Sequence, residues 1–280
     1  MHRQSVNPSM SRRVFLATLP SLAAVGIVSG LTRNRMLYGS SQRSVSVDDY
    51  DHTPYDRLLR KYVDEDGMVD YKSWKGSPTD WGGLRRYLGG MARVNPALRA
   101  SRAGRLAFWI NAYNALTIHG ILHFYPTSSI RNHTSRLFGY NIWDDLLLRV
   151  GSRKYSLNNV EHDILRKLGE PRIHFAIVCA SKGCPRLLNE AYTRDGLEQQ
   201  LDGNARDFFS RRRNFYVDYR SNTVYVSSIL KWFQEDFGPT PLEAVRSVAP
   251  YMPPRAAQFV RSHRFRVRYL PYDWSLNEQS

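Results

Sequence analysis

Cysteine is scarce in this chain of 280 residues: Cys179 and Cys184 are the whole supply. At most one internal bridge can form, and closing so short a loop adds little stability on a chain-entropy argument. Internal repeats and low-complexity tracts are missing too. Beyond the amino-terminal leader no run is apolar enough to span a bilayer. Acidic residues are outnumbered, 25 Asp and Glu against 40 Lys and Arg. That surplus is not arranged for nucleic acid: such a surface interleaves cations with exposed aromatics or sets them on a recognition helix. Neither pattern occurs.

The amino-terminal residues read as an address. Ser11-Arg12-Arg13-Val14-Phe15-Leu16 sets paired arginines before Val14 to Leu31, an uncharged run of 18 residues interrupted by Thr18, Pro20, Ser21, Gly26, Ser29 and Gly30. This resembles a twin-arginine export signal. Val28-Ser29-Gly30 offers small residues for cleavage, and no cysteine follows for lipidation. Residues 1–30 are thus expected to direct export to the periplasm or beyond, residues 31–50 to form an Arg- and Ser-rich spacer, and residues 51–280 to fold. Because the run approaches the roughly 20 residues of a spanning helix, an uncleaved membrane anchor is the alternative.

The leader and the spacer as far as Val47 carry 6 of the formal net charge of +15 with no acid, and +9 remains on the rest. The body's cations are scattered (Arg57, Arg60, Arg85, Arg86, Arg99, Arg102, Arg105), with one run at Arg211-Arg212-Arg213 and an alternation at Arg264, Arg266 and Arg268. For an exported chain, peripheral contact with anionic lipid headgroups or acidic envelope polymers fits this balance. A solvated basic surface is the plainer alternative.

About 230 residues after the spacer suit one domain with a full core. The spacing predicts helices over Tyr55 to Val63 and Trp81 to Met91. Ala103 to Phe124 is apolar on nearly every side, the mark of a helix buried at the centre. Ser156 caps a further predicted helix with an inner stripe of Leu157, Val160, Ile164 and Leu168, ending at Gly169. Ile173 to Val178 reads as a buried strand. A helix follows over Leu197 to Phe209, then a hairpin pairing Phe215 to Tyr219 with Thr223 to Ser227. Thr240-Pro241-Leu242-Glu243 is a capping box, and Phe265 to Tyr269 a last strand. The expected architecture is α+β, a single mixed domain with a buried central helix and a small sheet that includes a late β-hairpin.

Polar residues inside these elements are the candidate site. On an α-helical wheel Glu161 falls within the apolar stripe and His162 at its edge, so the carboxylate must be paired or protonated. Asn111 and Asn114 share a face of the central helix, as amides tying helix to loop or as groups that orient a catalytic partner. His119 and His123 have metalloprotease spacing, but Gly120 stands where the general base would be, which makes them core and helix-end histidines.

Three readings of the cysteines stay open. Cys179 and Cys184 form a disulfide in an oxidising compartment; they join His162 or His174 in a zinc site; or one is a nucleophile with a histidine as base. On an unbroken strand His174 and Cys179 point to opposite faces, which would pair His174 with Cys184, or Cys179 with His162. Lys182 and the backbone N–H groups of Ser181 and Gly183 could lower a thiol's pKa.

Together these residues carry a resemblance. Phe108-Trp109-Ile110-Asn111-Ala112-Tyr113-Asn114, Ser156-Leu157-Asn158 with Glu161-His162 and Leu165-Arg166, Pro171-Arg172-Ile173-His174-Phe175-Ala176, and Cys179-Ala180-Ser181-Lys182-Gly183-Cys184-Pro185 come in that order. Trp232-Phe233, Asp236-Phe237 and Tyr272-Asp273-Trp274-Ser275-Leu276-Asn277 follow. The chain from Tyr55 to Asn277 resembles the family called domain of unknown function 547. The family's name implies no activity, cofactor or partner.

Two functions of different class fit. One is a thiol-dependent hydrolase or acyl-transfer enzyme, acting on a small-molecule or peptide ligand with Cys184 or Cys179 as nucleophile, His174 or His162 as base, and Glu161, Asn111 or Asn114 orienting. The other is a non-catalytic envelope binding module with a Cys179–Cys184 disulfide. No cofactor is expected, and no oligomeric state is written in the chain.

Overall fold

The structure, a computed structural model, describes residues 44–134 and 139–280. The arginine-paired leader and most of the spacer lie outside the described residues.

Helix α1 (Thr53–Tyr62) has Pro54 in its first turn and buries Tyr55, Leu58, Leu59 and Tyr62 along one side. α2 (Tyr71–Gly76) is capped by Asp70. α3 (Pro78–Gly90) starts earlier than its apolar spacing suggests, because Ser77 caps it and Pro78 fits the first helical position. α4 (Arg102–Phe124) is the axis of the fold, buried without a break from Leu106 to Ile118. Its Gly120 has a packing role: a Cβ there would stand 2.6 Å from Leu146 Cδ2 and 3.1 Å from Ile142 Cδ1. Ile142 belongs to the short α5 (Ile142–Asp145), which leads into an antiparallel pair, β1 (Leu148–Val150) and β2 (Arg153–Tyr155).

The next segment is helical but not α. Asn159–Leu165 is a π turn, followed by a 3₁₀ turn over Arg166–Leu168 that Gly169 ends at φ 65°. The regular stripe is corrected accordingly. Leu157, Val160 and Leu165 are buried, while Ile164 and Leu168 are only half-buried. A π turn bonds i to i+5, which returns Leu165 rather than Ile164 to the face of Val160.

The predicted strand is also corrected. Pro171–Phe175 is a 3₁₀ turn entered through Glu170, whose carboxylate accepts from the Arg172 N–H, and the residues after it are irregular. The apolar run is buried as expected, but side-chain amides satisfy its backbone where a neighbouring strand would have done so. Asn114 Nδ2 donates to the Ala176 carbonyl at 3.0 Å, the Val178 N–H donates to Asn114 Oδ1 at 2.9 Å, and Asn204 Nδ2 donates to the Phe175 carbonyl at 3.1 Å.

α6 (Leu197–Ser210) precedes the late hairpin, β3 (Phe215–Asp218) and β4 (Thr223–Ser227), with Phe215 opposite Val226. Four helices follow: α7 (Ile229–Trp232), α8 (Gln234–Phe237), α9 (Pro241–Ser247), capped by Thr240 as its sequence predicts, and α10 (Pro254–Ser262). β5 (Arg266–Leu270) then adds parallel to β4, Thr223 opposite Arg266.

The body is a single mixed α+β domain with two apolar cores. One surrounds α4; the other packs the three-stranded sheet against α6, α9 and α10. Among the described residues no helix is long and apolar enough to cross a membrane.

Candidate functional site

The two cysteines meet at the mouth between these cores. Ala180 sits at φ 57° in the turn that carries both cysteines, and the Cys179 N–H donates to the Cys184 sulfur at 3.0 Å. Successive N–H groups around a left-handed residue make a concave anion cradle. Tyr272 Oη donates to Cys184 Sγ at 3.0 Å and lies 3.3 Å from Cys179 Sγ. Ser181 Oγ is 3.0 Å from Cys179 Sγ.

The sulfurs, both free, stand 2.7 Å apart. Burial drives the Cys184 thiol upward, but hydrogen bonds from Cys179, Tyr272 and Ser181 outweigh it and bring the thiol down to about 7. Cys179 moves the other way, first because its bond to Cys184 favours the protonated form and then through burial. The cradle therefore places the charge on Cys184.

The carboxy-terminal tail closes this loop. Gly183 N–H donates to the Asp273 carbonyl at 2.8 Å, and Lys182 N–H to the Ser275 carbonyl at 2.8 Å. A Cβ at Gly183 would sit 2.9 Å from the Asp273 backbone, so glycine is needed for this approach.

The imidazole comes from the 3₁₀ turn. His174 Nε2 lies 2.7 Å from Asp236 Oδ2 on α8, and Phe233 stacks on the ring at 4.1 Å between centroids. Arg166 grips the same carboxylate through Nε at 2.6 Å and Nη2 at 2.8 Å, and also reaches Glu235. Burial would raise Asp236, yet the bonds from His174 and Arg166 hold it well below the usual carboxylate range. For His174 burial prevails over the attraction of Asp236 and keeps the ring neutral. Nε2 is accordingly assigned as the donor. Nδ1 is then the acceptor, with no hydrogen-bond partner among the described residues.

Sulfurs and imidazole line one cleft of about 240 Å³, together with Glu161 and His162. The parity argument that separated His174 from Cys179 fails because no strand carries them. Glu161 is half-buried as a residue with its carboxyl enclosed, 3.3 Å from the Tyr113 hydroxyl, and burial pushes it up to about 7. His162 is exposed, with Nδ1 3.2 Å from Arg166 Nη1. Apolar walls come from Trp143, Ile177, Ile229 and Phe233. Trp232, 46% exposed, packs with Tyr272 and Trp274 at the rim.

Asn111 and Asn114 do not line the cleft. Asn111 spends both amide atoms on the Tyr192 backbone, at 2.8 and 2.9 Å, as Asn114 does on Ala176 and Val178. His119 and His123 are not in it either; burial pushes His119 down to about 4. Among the described residues no group of three or more His, Cys, Asp or Glu is placed to hold a metal ion.

Sequence reasoning named the sulfurs, both histidines and Glu161 but gave no role to Asp236, Arg166, Tyr113 or Tyr272. Asp236 and Tyr272 stood inside quoted motifs, Trp232 to Phe237 and Tyr272 to Asn277, and that was their only signal.

Residues 98–209 match the model of the family described as protein of unknown function, DUF547, so this stretch carries a domain similar to that family. The match takes in α4, Glu161, His174 and both cysteines, and ends before Asp236 and Tyr272. No curated protein and no solved structure matches the chain.

Proposed function

We propose that the protein is a thiol-dependent hydrolase or acyl-transfer enzyme. One observation carries the reading: the Cys184 sulfur takes the Cys179 backbone N–H and the Tyr272 hydroxyl while lining an apolar cleft shared with a neutral, Asp236-held imidazole. The Cys184 thiolate attacks the carbonyl carbon of an ester, thioester or amide, in a small molecule or a peptide. Protonated Glu161 gives its proton to the departing group, leaving an acyl-sulfur bond. Water, or an acceptor alcohol or amine, then attacks that bond. His174 Nδ1 takes the attacker's proton, and the thiolate leaves. Proton return from His174 to Glu161 through solvent completes the cycle. With the cleft's fixed charges paired inside the protein and its walls apolar, the group beside the sulfur is an uncharged acyl chain or ring.

Alkylation tests this directly. After reduction, iodoacetamide at pH 7 should modify Cys184 once, as read by intact mass and peptide mapping, and Cys184→Ser should abolish the adduct. Inert thiols in fully reduced protein would remove the proposal. Export of this body on the arginine-paired leader belongs to the same reading, and amino-terminal sequencing of periplasmic material tests it.

The short sulfur contact favours a second reading, a non-catalytic envelope binding module with Cys179 and Cys184 bridged. Intact mass decides here: a gain of two hydrogens on reduction supports the bridge, while two free thiols in periplasmic protein count against it.

A further inference from the structure

The π turn has a second side. Glu161 and His162 line the sulfur cleft, whereas Asn159 and Asp163, with Lys167 of the following 3₁₀ turn, line a separate hollow of about 480 Å³ against α4 and β2. The two share no lining residue. Among the described residues four cations border the second hollow, Arg105, Arg153, Lys154 and Lys167, against one acid, Asp163. That acid is already engaged, by Asn159 Nδ2 at 2.9 Å and Lys167 at 3.6 Å.

Arg105 is the informative residue. It is half-buried, and its guanidinium makes no ion pair or hydrogen bond among the described residues. The other half-buried arginines among the described residues, Arg166, Arg172, Arg186, Arg211 and Arg246, each reach a carboxylate or a backbone carbonyl. A cation that gives up water without a counter-charge raises the free energy of the fold, and an anionic ligand would offset that cost. The floor beneath is aromatic, with Trp109 edge-to-face on Tyr155 at 5.0 Å and Arg153 over the Tyr155 ring. Past Pro96 and Arg153 the furrow continues into a hollow of about 790 Å³ that adds Arg93 and, among the described residues, no acid.

We propose that this furrow binds a ligand bearing two or more phosphate groups, with Arg105 on the most enclosed phosphate and Arg153 and Lys154 on the next. Guanidinium pairs with phosphate bidentately, so arginine at the enclosed position suits this chemistry. A concave, enclosed hollow fits a discrete phosphorylated group rather than the flat face of a bilayer. The group is either a soluble polyphosphate ester or a phospholipid headgroup lifted into the furrow.

The test is calorimetric titration of the folded chain with sodium tripolyphosphate at physiological salt. Saturable one-site binding is expected, with inorganic phosphate as a weak competitor. Arg105→Gln and Arg153→Gln should each weaken it about tenfold, and thermal melts establish that the variants fold. Arg153 is exposed, so its replacement leaves the fold intact even if that of Arg105 does not. Arg261→Gln and Arg264→Gln, which remove the same charge elsewhere, should change affinity less than twofold. Sedimentation with phosphatidic acid vesicles that depends on Arg105 and is displaced by tripolyphosphate assigns a lipid headgroup; tripolyphosphate binding without sedimentation assigns a soluble ligand. Equal losses at Arg105 and Arg261, or no saturable binding, would overturn the proposal.

Discussion

The two cores serve the cleft differently. The α4 core delivers the sulfurs on backbone held from both sides, by Asn114 and Asn204 before Cys179 and by the pinned tail beyond it. The sheet core delivers side chains alone: Asp236 from a helix of four residues, Ile229 and Phe233 as walls. Backbone fixed by buried amides is rigid, whereas a side chain on a short helix adjusts. The comparison assigns fold to one side of the cleft and tuning to the other.

Variants in each half can break that division. The largest effect belongs to Asn114→Leu, which strands the Ala176 carbonyl and the Val178 N–H in the core. Two unmet buried groups should cost about 3 kcal/mol, read as a lower urea midpoint. Asp236→Asn should spare the fold by comparison but slow turnover about 100-fold by misorienting His174, measured as kcat on an activated ester. If it unfolds the protein instead, the division between fold and tuning is wrong.

Glu161 gives a pH signature. Its folded value near 7 lies above its usual 4.5, so the native state favours the protonated acid. Its contribution is fully present below about pH 4.5 and is lost as pH rises through 7. Glu161→Gln should therefore match the parent at pH 4 and exceed it by on the order of 2 kcal/mol at pH 8, in paired urea melts. Smallest is Tyr272→Phe, which removes one donor from Cys184. The thiol should rise from about 7 by about one pH unit, shifting the alkylation rate profile to higher pH.

What could be read in advance follows the same line. The α4 helix, the late hairpin and the Thr240 cap are written in local spacing, and they form where expected. Ile173 to Val178 misled because burial and strand pairing leave one apolar signature, and only the fold shows that asparagines supply the backbone partners. The π turn escaped because a single shift from i+4 to i+5 leaves composition unchanged. His174 meets Asp236 across 62 positions and Cys184 meets Tyr272 across 88, distances at which no local pattern exists.

The hydroxyl on Cys184 arrives late. While the chain is being made, both thiols emerge long before Tyr272, so they spend that interval without the donor that stabilises a thiolate. A polypeptide cut short after Leu270 would lack that donor and also Leu276, which fills part of the α4 core, so the last residues complete the packing and the thiol's surroundings in one step.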